Sequence, residues 1–169
     1  MARMRVSGVV MNIMIAGDDH GCKIFQSAYD DAKKRFGTID MFIHTGDSEG
    51  FDCEYYKSIC GCPVYMVRGN NDFNELPGEC VINAGLKKIF VTHGHRYRVY
   101  FDSQTIAYAG RERDADIVVF GHTHHALHQV GGDIELINPG SVAGIRSYVK
   151  TYAMLQIEGS KTQVDIINI

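Results

Sequence analysis

The chain has 169 residues, 45% of them hydrophobic and 22% charged, with 18 Gly, 3 Pro and no Trp. That is the size and balance of one globular domain with a real core, and it excludes disorder, collagen-like repeats and a coiled coil. A formal charge of −3 gives no field for coating nucleic acid or anionic membrane, whereas eight His beside twenty Asp and Glu raise the question of whether they are organised.

In chain order, Arg3 and Arg5 precede an apolar run from Val6 to Gly17 that imitates a signal peptide. The run is too short to span a bilayer, which needs about 20 residues, and cleavage near Ala16 or Gly17 would fray Asp18 and His20. A buried first strand over Asn12–Ala16 is the better reading. Residues 1–10 are then a loose arm, a tag remnant or a start-site artefact ahead of a single domain over 11–169. Apolar residues at 3–4 spacing predict a helix over Cys22–Phe36, stopped by Gly37. Asp40–His44 reads as a strand, residues 51–60 as a weaker helix and Pro63–Val67 as a third strand. Cys80–Asn83 and Lys87–Thr92 flank Ala84-Gly85 as a hairpin, Ser103–Arg113 is helical, and Asp116–Phe120 is an apolar strand. Four more strands follow, over Ala126–Val130, Glu135–Asn138, Tyr152–Glu158 and Gln163–Ile169. Alternating strands and helices followed by successive strands predict an α/β fold of two sheets sharing one core, with helices outside.

Polar clusters fall just after strand ends: Asp18 and His20, Asp47, Asn70, His93, then His122 and His124. In open α/β sheets that edge is where ligands bind, because loops converge there on rigid supports. Seven nitrogen and oxygen donors are too many for one tetrahedral ion. They suit two divalent ions sharing a carboxylate, with Asp47 the natural bridge. Carboxylate, amide oxygen and imidazole without thiolate favour Mn²⁺, then Fe, Zn²⁺ or Ni²⁺, over a structural cysteine site. A lone strand-end histidine is more often a satisfied structural residue. DxHG, TGD, RGNND, THGH and GHTH in that order, each at a strand end, are not coincidence.

These motifs, with Asn138-Pro139-Gly140-Ser141, resemble the calcineurin-like metallophosphoesterases, in particular their small bacterial and archaeal phosphodiesterase branch. The resemblance covers Met11 to about Ile169 and implies a four-layer α/β/β/α sandwich, two mixed sheets flanked by helices. Carried over by motif, Asp18, His20 and His124 would hold the first metal, Asn70, His93 and His122 the second, and Asp47 both. Two such ions about 3.5–4 Å apart hold a bridging hydroxide and clamp the phosphoryl oxygens for in-line displacement. The expected activity is therefore hydrolysis of small phosphate diesters. The alternatives are a phosphomonoesterase and, in a different class, an interaction scaffold like the retromer subunit of this fold.

The sequence departs from the wider superfamily at one position. Many members carry His after the ligand Asn, where it protonates the leaving oxygen; here the residue is Asn71, and an amide cannot transfer a proton near pH 7. His95 is the best substitute acid. Arg96 is a candidate phosphate contact, as is Asn70. His44 is expected to support the site or the core, Asp72 to orient the Asn70 loop, and His125 and His128 to lie on the surface. The 138–141 motif reads as a supporting turn. Five cysteines without a CxxC read as free thiols in a reducing cytoplasm. No stable nucleic-acid or membrane partner is expected. The strand-rich C-terminus offers an edge for a homodimer or higher homo-oligomer, by analogy with related small enzymes.

Overall fold

In the computed structural model, which describes residues 8–169, side chains of the first strand alternate between two apolar layers. In β1 (Met11–Ala16), Ile13 and Ile15 enter one buried cluster while Met14 and Ala16 enter another, the period-2 signature of a strand covered on both faces. Residues 1–7, most of the arm foreseen over 1–10, lie outside the described residues.

After β1 come α1 (Phe25–Phe36), β2 (Met41–His44), α2 (Cys53–Cys60), β3 (Val64–Met66), β4 (Glu79–Ala84) and β5 (Lys87–Thr92). The chain continues through α3 (Gln104–Arg111), β6 (Ile117–Val119), β7 (Leu127–Gly131), β8 (Ile134–Asn138), β9 (Thr151–Glu158) and β10 (Lys161–Asn168). One mixed sheet has the order β10-β9-β1-β2-β3 and the other β4-β5-β6-β8-β7. Ile13, Ile15, Ile43, Ile89, Val119 and Leu155 pack between the sheets. Met14, Phe42 and Tyr152 pack with Phe25, Ala28 and Tyr56 of α1 and α2, and Phe90 and Val118 with Ile106 and Ala107 of α3. Three apolar seams separate four layers in the order α/β/β/α, as expected.

Local chemistry sets the helix ends. The Asp52 carboxylate accepts from Tyr55 N at 2.9 Å at the start of α2, and Gly61 at φ +63° ends it. The basic residues Lys33, Lys34 and Arg35 close α1, complementing its dipole. This helix starts three residues later than its periodicity predicts. The amides of His20 and Gly21 donate to the carbonyls of Asp47 and Ser48, and that of Cys22 to Asp19, so the chain there is committed to the β2–α2 loop.

Parallel pairing of β1 with β2, β2 with β3, β5 with β6 and β6 with β8 sends the C-terminal ends of these strands to one edge. The hairpin turns β4–β5, β7–β8 and β9–β10 lie at the opposite end. Where the sheet borders meet, Glu135 accepts from Thr162 Oγ1 at 2.7 Å and pairs with His128 Nε2 at 2.7 Å. His128 and His125 are both exposed. All five cysteines are free. Among the described residues, no helix is long and apolar enough to cross a membrane.

Candidate metal centre

Five strand ends deliver the predicted donors to one place. Asp18 and His20 follow β1, Asp47 follows β2, Asn70 follows β3, His93 follows β5, and His122 and His124 follow β6. Asp18 Oδ1 lies 3.4 Å from His124 Nε2 and 3.9 Å from His20 Nε2. Asp47 Oδ2 lies 3.7 Å from His20 Nε2 and 3.4 Å from His93 Nε2. Asn70 Oδ1 and His122 Nδ1 approach His93 Nε2 at 3.0 and 3.2 Å. Two groups close enough to share an ion result, Asp18 with His20 and His124, and Asp18 with Asp47 and His93. Asp18 is thus within reach of both groups, where the motif resemblance gives it to the first metal alone.

The hydrogen-bond network fixes which nitrogens carry protons. His20 Nδ1 donates to Glu49 Oε1 at 2.7 Å, His93 Nδ1 to Thr45 O at 2.8 Å and His124 Nδ1 to Ile145 O at 2.9 Å. In a neutral ring that leaves a lone pair on each Nε2. The Nε2 atoms of His20 and His124 then face each other at 3.2 Å, and His93 Nε2 faces the oxygens of Asn70 and Asp47. Buried Asp18 Oδ1 has no hydrogen-bond partner. Acceptors converging on acceptors without donors fit a cation, and outer hydrogen bonds that fix imidazole tautomers are typical support for one.

The electrostatics agree. Burial, with the neighbouring charge of Asp47, pushes the Asp18 carboxyl up to about 7 against the pull of His93 and His20. Burial would also raise Asp47, but the hydrogen bond and charge of His93 and two donors from Asn71 hold it well below the usual carboxylate range. Burial and the charge of His93 lower His122 to about 4, and burial lowers His124, favouring the neutral form that ligates metal. His93 is the exception: it moves up despite its burial, because Asp47 and Asp18 face it, so without a cation its Nε2 favours a proton that metal binding would displace.

Backbone geometry forces the donors inward. Asp18, His20, Asp47, His122 and His124 all have positive φ, between +46° and +70°. That left-handed region costs a non-glycine residue about 1–2 kcal/mol, strain of the kind that collects at functional sites. Gly69 admits the close approach: a Cβ there would sit 2.0 Å from Asp47 Oδ1. At Gly121 it would sit 2.7 Å from Asp18 Oδ2.

Supporting residues explain the remaining motif positions. The Asp72 carboxylate accepts from the amides of Asp47 and Gly69 at 2.8 Å and of Glu49 at 2.9 Å, clamping two ligand loops together. The Asn71 side chain donates to Asp47 Oδ2 at 2.9 Å and its backbone N–H to Oδ1 at 2.8 Å. Ser141 Oγ donates to Asp18 O at 2.7 Å, while Asn138 Nδ2 donates to Gly121 O and Thr123 Oγ1 at 3.0 Å. The 138–141 turn thus ties the first ligand loop to the last. His44 takes the Gly46 amide on Nδ1 at 3.0 Å, so its Nε2–H faces Asp19 Oδ1 at 3.3 Å, and Tyr56 OH donates to Asp19 Oδ2 at 2.6 Å. This buried layer supports the site from below and does not enter it.

His95 lies beside the cluster, its ring 5.4 Å from that of His93 and 6.0 Å from that of His122. Its buried Nδ1 has no partner. Burial and the charges of His93 and Arg96 lower its pKa, so the neutral ring dominates at pH 7. Arg96 is exposed and makes no hydrogen bond to the cluster among the described residues. Two residues that the sequence reading passed over do meet it: Tyr100 OH donates to His122 O and accepts from Arg146 Nη1, both at 2.9 Å. They come from different loops, and no local pattern announces them.

The comparisons agree with this geometry. The Calcineurin-like phosphoesterase superfamily domain matches residues 11–160. The chain is 34% identical to the probable metallophosphoesterase YsnB of Bacillus subtilis (strain 168), across 91% of this chain and 89% of that protein. A solved structure of a predicted phosphoesterase from Streptococcus pneumoniae TIGR4 superposes with a TM-score of 0.78 at 29% identity, over 95% of this chain and 90% of that one. Wild-type Vps29 of Entamoeba histolytica, solved in complex with zinc, gives 0.76 at 25% identity, over 94% and 99%. With its fold, its convergent donors and the domain match over residues 11–160, the chain belongs to the calcineurin-like phosphoesterase superfamily.

Proposed function

We propose that the protein is a phosphodiesterase that hydrolyses small phosphate diesters with two divalent ions, Mn²⁺ first among Mn²⁺, Fe, Zn²⁺ and Ni²⁺. The observation that carries this reading is the set of acceptors without donors, Asp18 Oδ1 above all. Asp18, His20 and His124 would hold one ion, Asn70, His93 and His122 the other, and Asp47 both. The ions supply Lewis-acid charge and lower the pKa of a water.

The protein's own groups set what the site accepts. Exposed Asn70 presents its amide N–H groups to a phosphoryl oxygen, and Arg96 adds positive charge at the rim. Asn71 cannot give up a proton, because it is an amide already held by Asp47. His95 is the nearest imidazole that can protonate a leaving oxygen, and its lowered pKa leaves little of the acid form at pH 7. Hydrolysis therefore favours good leaving groups, such as aryl esters.

The test compares metal-free and Mn²⁺-loaded protein on an aryl phosphodiester and an aryl phosphomonoester, with Asp47→Ala as control. We expect metal-dependent turnover of the diester, lost about 10³-fold or more in Asp47→Ala. Faster turnover of the monoester would replace this reading with a phosphomonoesterase. No metal-dependent turnover of either would leave an interaction scaffold.

A further inference from the structure

A cavity of about 560 Å³ opens between the β2–α2 and β3–β4 loops, lined by Glu49, Phe51, Asp52, Asn71, Phe73 and Asn74. Its volume is that of a small-molecule site. Two of its lining residues are bonded to the metal centre: Glu49 accepts from His20 Nδ1 and Asn71 donates to Asp47. Whatever binds at the centre therefore has this cavity as its immediate neighbour.

The two aromatic residues differ in a telling way. Phe51 stacks on Tyr55 with ring centroids 4.2 Å apart and planes inclined by 16°, so it is a fixed wall. Phe73 belongs to none of the three apolar clusters, has no ring partner among the described residues and is fully exposed at 101%. An unpartnered phenyl ring at the rim of a cavity beside a reaction centre is apolar area waiting for a ligand. The Glu49 and Asp52 carboxylates in the lining oppose a second anionic group and admit an uncharged one.

We infer that this cavity is the subsite for one ester substituent, and that it selects an uncharged, planar aromatic ring which packs on Phe73. The inference rests on the phosphodiesterase reading and names the substrate class of that same site.

Calorimetry with Mn²⁺-loaded protein tests it through three non-hydrolysable probes, methylphosphonate, benzylphosphonate and cyclohexylmethylphosphonate. The expected result is benzylphosphonate binding about tenfold tighter than methylphosphonate, the scale of one good aromatic contact with its buried area, with the saturated ring falling short of it. Phe73→Ala, at an exposed position that folding does not depend on, should erase most of that gain, and Phe73→Trp should keep it. Equal binding of methylphosphonate and benzylphosphonate, a gain that survives Phe73→Ala, or a saturated ring as good as the aromatic one would each overturn the subsite. Absence of metal-dependent turnover of the aryl phosphodiester would overturn the phosphodiesterase reading itself, so the two failures are distinguishable.

Discussion

The two ends of the β-sandwich use the same backbone conformation for different purposes. At the hairpin end, Gly85, Gly132 and Gly159 turn the chain at φ +59° to +64°, and glycine accepts that region without cost. A Cβ added at Gly132 or Gly159 would meet nothing within 4 Å. At the strand-end edge five left-handed positions are Asp and His donors, and Gly46, Gly69 and Gly121 sit where another atom is almost in contact. One end is built for turning the chain, and the other holds strained, desolvated acceptors together. The lesson is that φ > 0 marks a site only when a side chain is kept there despite the strain.

Matched glycine substitutions break the comparison most sharply. Gly69→Ala puts a methyl 2.0 Å from Asp47 Oδ1, and it should weaken Mn²⁺ binding by about 100-fold, the upper range for disturbing a ligand's supporting contacts. Gly132→Ala has the space but the wrong φ, so it should cost about 1 kcal/mol of stability and leave metal affinity unchanged. Metal titration and thermal melting of both variants separate the two effects. Equal metal affinity in the two variants would remove the distinction between the ends.

The fold was legible because its signals are local. The continuous apolar run in Asn12–Ala16, the hairpin pattern around Ala84-Gly85 and the 3–4 spacing in α1 survive the tertiary context. The candidate site was legible because unusual residue types sit at strand ends, where parallel pairing brings them together. Less visible were contacts made between distant loops. The start of α1 moved because the amides of residues 20 and 21 bond carbonyls of the β2–α2 loop. Tyr100 meets His122, and Arg146 meets Tyr100, from separate segments. The closeness of Asp18 to both groups comes from where separate loops meet, which no spacing encodes. Position 71 was marked by its residue type, but its bond to Asp47 needed the coordinates.

Acidification gives a smaller effect, confined to the strand-end edge. Asp18 ligates as a carboxylate, so a metal-free pKa of about 7 means that a bound proton must leave on metal uptake below that pH. Apparent Mn²⁺ affinity should therefore be about tenfold weaker at pH 6 than at pH 8. Calorimetry in buffers of different ionisation enthalpy counts the proton released. A flat affinity over this range would show that Asp18 is ionised before the metal arrives.

The smallest expected change concerns the absent acid. Asn71→His should raise turnover of diesters with poor leaving groups severalfold and leave 4-nitrophenyl esters unaffected, because only the former need a proton on the departing oxygen. His95→Ala should lower turnover of poor-leaving-group esters most at acidic pH, where its ring is charged. No gain in the first variant together with intact turnover in the second would remove both from the account of proton transfer.

The central claim is that acceptors facing one another at the strand ends form a two-ion site joined by Asp47. Equilibrium dialysis of Mn²⁺ against wild-type protein and Asp47→Ala tests it directly. Two ions per wild-type chain and at most one in the variant are expected. No ion retained by the wild type, or two retained without the Asp47 carboxylate, would contradict it.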